Sequence, residues 1–150
     1  MTSFTTNGLP PPHLVQALGE FDLDPCASHL CPNKLATRTF GPRENGLKQE
    51  WSGRVWLNPP FSNMQPFVRK MMEHGHGTLL CLIAGQTLWQ MKMIEASGWV
   101  FLMQGKPKFE RPQRGLPQGQ RAPVWLVPFG AEDVDALAKS GLPGVLLKMV

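Results

Sequence analysis

The stretch Thr78-Leu79-Leu80-Cys81-Leu82-Ile83 constrains the fold more than any other part of the chain. It carries no charge and shows no polar face, the pattern of a strand buried on both sides in the middle of a parallel sheet. Such a strand needs helices above and below it, and its flanks supply them. Gln65–His74 places Phe67, Val68, Met71 and Met72 on one helical stripe, with Ser62 or Asn63 positioned to cap it. Thr87–Ser97 carries Leu88, Met91 and Ile94 at helical spacing and is closed by Gly98. The methionines on these stripes read as core.

The rest alternates in the same way. Pro11–Leu18 opens with prolines suited to a first helical turn and puts Leu14, Val15 and Leu18 on one side. Phe21–Asp24 is a short strand that stops at Pro25, and Thr37–Phe40 is a strand candidate within the otherwise irregular stretch from Cys26 to Arg43. Arg54–Leu57 is a strand running into Asn58-Pro59-Pro60-Phe61, where two prolines force a loop. Trp99–Met103 and Val124–Val127 are further strands, and Glu132–Lys139 is a last helix before Gly141. The expected fold is α/β, a mostly parallel sheet with helices on both faces. Trp99–Met103 and Val124–Val127 lack a helical crossover and are expected as an antiparallel pair at the edge. Ligands of such sheets sit at the carboxyl ends of strands. Asp24-Pro25 and the Asn58 loop both lie there.

A chain of 150 residues, 42% hydrophobic and 17% charged, is expected to form one domain spanning 1–150. No apolar run approaches the roughly 18 to 20 residues that span a bilayer, and the first residues lack a basic-then-apolar pattern. Neither a membrane protein nor a secreted precursor is expected. Cys26, Cys31 and Cys81 are three cysteines without a CxxC pair, so a disulfide framework is not expected and a reducing cytoplasm is. Cys26, His29 and Cys31 lack a second cluster that would complete a zinc site, and no metal is expected.

Net charge is +4, and all of it falls between Gly105 and Arg121, where Lys106, Lys108, Arg111, Arg114 and Arg121 face the single anion Glu110. A Gly/Pro/Gln-rich segment with that charge suits contact with a phosphate backbone. A solvated surface loop would have the same composition.

Asn58-Pro59-Pro60-Phe61 is the sharpest chemical signal. An Asn amide oxygen and a proline carbonyl can both accept hydrogen bonds from an exocyclic amine, proline rigidity fixes those acceptors, and the aromatic ring offers a stacking face. These are the needs of a flipped-out adenine whose amino nitrogen attacks a methyl sulfonium. A proline-rich turn without chemistry would also account for the four residues.

Several ordered blocks resemble the phage- and plasmid-borne DNA adenine N-6 methyltransferases of the Dam type. They are Pro11-Pro12-His13-Leu14-Val15, Phe21-Asp22-Leu23-Asp24-Pro25-Cys26-Ala27-Ser28, Glu44-Asn45-Gly46-Leu47, Trp51 to Phe61, Phe101 to Phe109, and Ala122-Pro123. The resemblance implies a class I, Rossmann-like methyltransferase sheet using S-adenosylmethionine. It implies that Asp24, Pro25 and Cys26 lie near the cofactor's methionine and ribose, that Pro11-Pro12 with Thr6 closes over the same pocket, and that Glu44 and Asn45 face its ribose or adenine. Ala27-Ser28 stands where such domains have a Gly-rich turn. On this footing Asn58 and Pro59 orient the target amine beside Pro60, and Phe61 stacks on the base. Lys106, Lys108, Arg111, Arg114 and Arg121 would hold DNA, with Phe109 or Leu116 stacking or wedging beside bases. The expected setting is a phage- or plasmid-encoded monomer or homodimer in a bacterial cytoplasm.

The chain departs from the family pattern at Ala84-Gly85-Gln86-Thr87, where relatives tend to have Ala-Arg-Thr, and at Val124-Trp125, where a Ser tends to follow Ala-Pro. Phe61 replaces the commoner Tyr. Two other functions stay open on the sequence: a DNA-binding protein on an inactive methyltransferase fold, and transfer to another amine such as cytosine N-4 or a protein amide.

Overall fold

Strands β3 (Val55–Leu57), β4 (Gly77–Leu82) and β8 (Val124–Phe129) turn alternate side chains to opposite faces of one sheet, and both sets are apolar. In the computed structural model, which describes residues 9–28, 34–83, 87–109 and 120–149, this doubled burial creates two cores. One gathers Val55, Leu57, Leu79, Cys81 and Val127 under Phe67, Val68 and Met71 of α2 (Met64–His74) and Met93 and Ile94 of α3 (Leu88–Ser97). The other gathers Trp56, Leu80, Val124 and Leu126 under Leu14 and Val15 of α1 (Pro12–Gln16) and Leu137 of α4 (Ala131–Lys139). Helices therefore cover both faces.

The seven-stranded sheet has the order β2-β1-β3-β4-β8-β5-β9, adding β1 (Phe21–Asp24), β2 (Ala36–Thr39), β5 (Trp99–Met103) and β9 (Gly144–Lys148). The pairs β1–β2, β1–β3 and β3–β4 are parallel, while β4–β8, β8–β5 and β5–β9 are antiparallel. By direction the sheet is mostly parallel, with β1 to β5 running one way and β8 and β9 against them, so an antiparallel strand does take one edge. The segments 99–103 and 124–129 do pair antiparallel, but not at the edge. β8 inserts between β4 and β5, where its alternating apolar residues fill both cores, and β9 takes the edge.

α3 also turns differently from its expected stripe. Gln90, Met93 and Ile94 face inward, whereas Leu88 is 70% exposed and Met91 44% exposed. Gln90 is drawn in by donors of its own, its amide bonding the Leu82 carbonyl at 2.7 Å and the Cys81 sulfur at 3.2 Å. Asn63 occupies the N-cap position of α2, yet its side chain makes no capping bond.

Ionic order lies at the amino end of the parallel strands. Arg54 Nε donates to both carboxylate oxygens of Asp133 at 3.0 and 2.9 Å, and Thr78 Oγ1 donates to Asp133 Oδ2 at 2.6 Å. This buried cluster joins β3, β4 and α4 and leaves the carboxyl end free for loops. No helix among the described residues is long and apolar enough to cross a membrane.

Candidate functional site

β2 lies to one side of β1, and β3 with β4 lies to the other, so the strand order reverses between β1 and β3. A crevice opens at such a switch point, outside the carboxyl ends of the two strands. Here it is a cavity of about 230 Å³. Pro25, Cys26 and Ala27 line it from the end of β1, Pro60 from the end of β3, and Phe67 from α2, with Gly41, Pro42, Asn45, Gly46 and Leu47 opposite.

The wall at 41–47 is held by specific contacts. Gly46 passes so close to β1 that a Cβ there would stand 2.2 Å from the Pro25 carbonyl oxygen, a separation no side chain tolerates. Trp51 Nε1 donates to the Gly46 carbonyl at 2.9 Å, and Lys70 Nζ donates to the carbonyls of Leu47 and Gln49 at 2.9 and 2.5 Å. Asn45, at φ +54°, lines the cavity while its Oδ1 accepts from the Leu47 amide at 3.2 Å. Glu44 is exposed and braces the turn, its Oε1 accepting from the Gly41 amide at 2.6 Å.

Asp24 is 5% exposed at the end of β1, and its Oδ1 accepts from the Cys26 amide at 3.1 Å. Burial outweighs that hydrogen bond and pushes its carboxyl up to about 7, so it titrates near neutrality. Burial, and then the charge of Asp24, push the Cys26 thiol well up, which favours its protonated form.

Asn58, Pro59 and Pro60 are buried where β3 ends, and Phe61 is partly exposed at the start of the following turn of 3₁₀ helix. The Asn63 amide closes that turn on the Pro60 carbonyl at 2.9 Å. Phe61 stands edge-on to Phe109, with ring centroids 6.0 Å apart. Phe109 is only 2% exposed, so it supports Phe61 from beneath and is not presented to bases as the sequence suggested. It belongs to a two-stranded ribbon of β6 (Lys108–Phe109) and β7 (Gln120–Arg121), in which Lys108 lies directly opposite Arg121. Like charges so placed repel. Arg121 also donates to the Lys106 carbonyl at 2.9 Å.

The family model for DNA N-6-adenine-methyltransferase (Dam) matches residues 12–118, from α1 through both strand ends and into the basic segment. The chain belongs to this family. It is 36% identical over 76 residues to the DNA N-6-adenine-methyltransferase of Haemophilus phage HP1 (strain HP1c1), covering 47% of this chain and 43% of the relative. It is 38% identical over 77 residues to the protein of the same name from Escherichia phage T1, covering 47% of this chain and 32% of the relative. The match thus spans less than half the length of either curated relative. No solved structure matches the chain.

In this Dam-family chain the structure brings Pro25, Cys26, Asn45 and Pro60 to one cavity, whereas Asp24, the residue before Pro25, is buried and not among the residues lining it. Pro11 and Pro12 are not among the residues lining it, and Pro11 serves as N-cap of α1. Thr6, His29, Cys31, Gly85, Gln86, Arg111, Arg114 and Leu116 lie outside the described residues. Val124 is 3% exposed in the core, so that departure from the family pattern is taken up by packing. Sequence reasoning missed Gly41, Pro42, Gly46, Leu47 and Phe67 as cavity walls; the Glu-Asn-Gly turn was their only local sign. Among the described residues His76, Glu132 and Asp133 could gather round a metal, but they sit at the opposite end of the sheet and Asp133 is already bound to Arg54 and Thr78.

Proposed function

We propose that the chain is a DNA adenine N-6 methyltransferase that takes its methyl group from S-adenosylmethionine. The observation that carries this is the sharing of one switch-point cavity by the β1 end and Pro60 of the Asn-Pro-Pro-Phe loop, an arrangement that would set a cofactor beside the target amine. The strand order, reversing between β1 and β3 with an antiparallel strand set into the far half, supports the class I, Rossmann-like assignment.

The residues present fit the cofactor. Pro25, Ala27, Pro42, Leu47 and Phe67 give apolar walls for a nucleoside, and the close approach at Gly46 shapes a cradle that a Cβ would destroy. Asp24, ionised above about pH 7, would meet the cofactor's cationic end. Bound there, S-adenosylmethionine would supply an electrophilic methyl group on a sulfonium. Thr6, Pro11, Pro12, Cys26, Glu44 and Asn45 are the remaining proposed contacts.

On the acceptor side, Asn58 Oδ1 and the Pro59 carbonyl accept the two N–H groups of the target amine and raise the electron density on its nitrogen. Phe61 stacks on the extruded base, and Phe109 fixes the angle of that ring. No strong base is needed, because the nitrogen becomes acidic once methylated and sheds its proton to solvent. Lys106, Lys108 and Arg121, with Arg111 and Arg114, hold the DNA backbone. Incubation with unmethylated DNA and S-adenosylmethionine, followed by nucleoside mass spectrometry, should yield N6-methyl-2′-deoxyadenosine. N4-methyl-2′-deoxycytidine instead would move the target to cytosine N-4, and neither product would end the enzymatic assignment.

A further inference from the structure

The outward side of α3 exposes Leu88 and Met91 alongside Lys92 and Glu95, more apolar surface than a surface helix ordinarily shows, and a groove of about 360 Å³ runs between α3 and α2. Val68, Met72 and Trp89 line it, together with the exposed Leu88 and two cations, Arg69 and Lys92. Some other cations are committed to internal partners, Arg54 to Asp133 and Lys70 to the Leu47 and Gln49 carbonyls. Arg69 and Lys92 have no acidic group within ion-pair distance among the described residues.

Position decides what such a groove meets. α2 begins three residues after Phe61, and α3 follows the carboxyl end of β4, so both helices start at the end of the sheet that carries the Asn58 loop. Both pack on one face of the sheet, whereas Phe109 of the β6–β7 ribbon belongs to the core of the other face. The loop therefore stands between two pairs of cations, Lys108 with Arg121 on one side and Arg69 with Lys92 on the other. A polyanion with apolar surfaces, laid along that edge of the sheet, would meet both.

We propose that the groove between α2 and α3 is a second DNA-contact surface, in which Arg69 and Lys92 hold phosphates flanking the target base and Leu88 packs on the neighbouring nucleotides. This rests on the methyl-transfer function proposed above. Cations and apolar residue leave different signatures, since only cations release counterions when they bind a phosphate.

The test is fluorescence anisotropy of the full chain with a 20-base-pair duplex across a salt series. For R69A/K92A the expected result is an affinity at least tenfold lower at low salt and a plot of log K against log salt shallower by about 1.8, for two lost phosphate contacts. For Leu88→Ala it is a several-fold loss with the slope unchanged. All three side chains are exposed, so the melting temperatures should stay close to wild type; should alanine lower them, glutamine at 69 and 92 takes its place. Wild-type affinity and slope in the variants would overturn the proposal, as would a dimer seen by sedimentation that Leu88→Ala dissociates, because the groove would then join two copies of the chain. If wild type methylates DNA while the variants bind like wild type, only the groove fails. If wild type binds DNA with the variant-sensitive slope but transfers no methyl group, the groove stands and the enzymatic function fails.

Discussion

The ring of Phe109 meets the ring of Phe61 edge-on, with planes 78° apart, and so joins the basic ribbon to the loop that would hold the target base. Whatever moves β6 also tilts the stacking surface. Phe109→Ala should lower stability by about 3 kcal/mol in denaturant titrations, as for other buried phenylalanines. It should also reduce kcat/KM for DNA about tenfold, while S-adenosylmethionine binding measured by calorimetry stays the same.

Asn58 is proposed to act directly on the target amine. Asn58→Ala should leave the far-ultraviolet circular dichroism spectrum unaltered and reduce kcat at least about 100-fold, the scale of losing one oriented hydrogen-bonding group at a reacting centre. Turnover near wild type would remove Asn58 from the chemistry.

Asp24 predicts a pH dependence of definite sign. Its folded pKa, about 7, lies above the ordinary value of 3.8, so between these values the folded state holds a proton that the unfolded chain has released. Stability from this group is whole below about pH 4 and declines as pH rises toward 7, with a limiting slope of about 1.4 kcal/mol per pH unit. Asp24→Asn should flatten that decline in urea titrations. Binding of S-adenosylmethionine should run the other way in the wild type, tightening from pH 6 to pH 8 as the carboxylate forms, and Asp24→Asn should abolish the trend.

Gly46→Ala tests the cavity alone. The new methyl group would collide with the Pro25 carbonyl and push the 41–47 wall outward. Cofactor affinity should drop more than tenfold with a stability loss of about 1 to 3 kcal/mol, and DNA affinity measured without cofactor should change little.

Lys108→Ala tests the ribbon. Removing one of two opposed cations should make the salt dependence of DNA binding shallower by about 0.9. An unchanged slope would mean that this pair does not touch phosphate.

Local chemistry explains what was legible in the sequence. Prolines at 25, 59 and 60 end their strands whatever surrounds them, so the residue order alone puts both halves of the candidate site at strand ends. β9 was not legible, because Gly144-Val145-Leu146-Leu147-Lys148 becomes a strand only through its register with β5, far away along the chain. The position of β8 was hidden for the same reason, since an apolar strand fits the middle of a sheet as well as its border. α3 misled because apolar residues occupy two of its sides, and only packing decides that Gln90 turns inward while Leu88 turns out. The wall at 41–47 depends on Trp51 and Lys70, two partners that no short motif predicts.

Strands β6 and β7 close a ladder immediately before and after residues 110–119, and β5 and β8 pair just beyond them. The two ends of that segment are therefore pinned together whatever lies between them. Lengthening a segment with pinned ends costs little, about 0.6 kcal/mol for each doubling. Peptides of other lengths and sequences could thus be exchanged at this point without disturbing the cavity or the Asn58 loop.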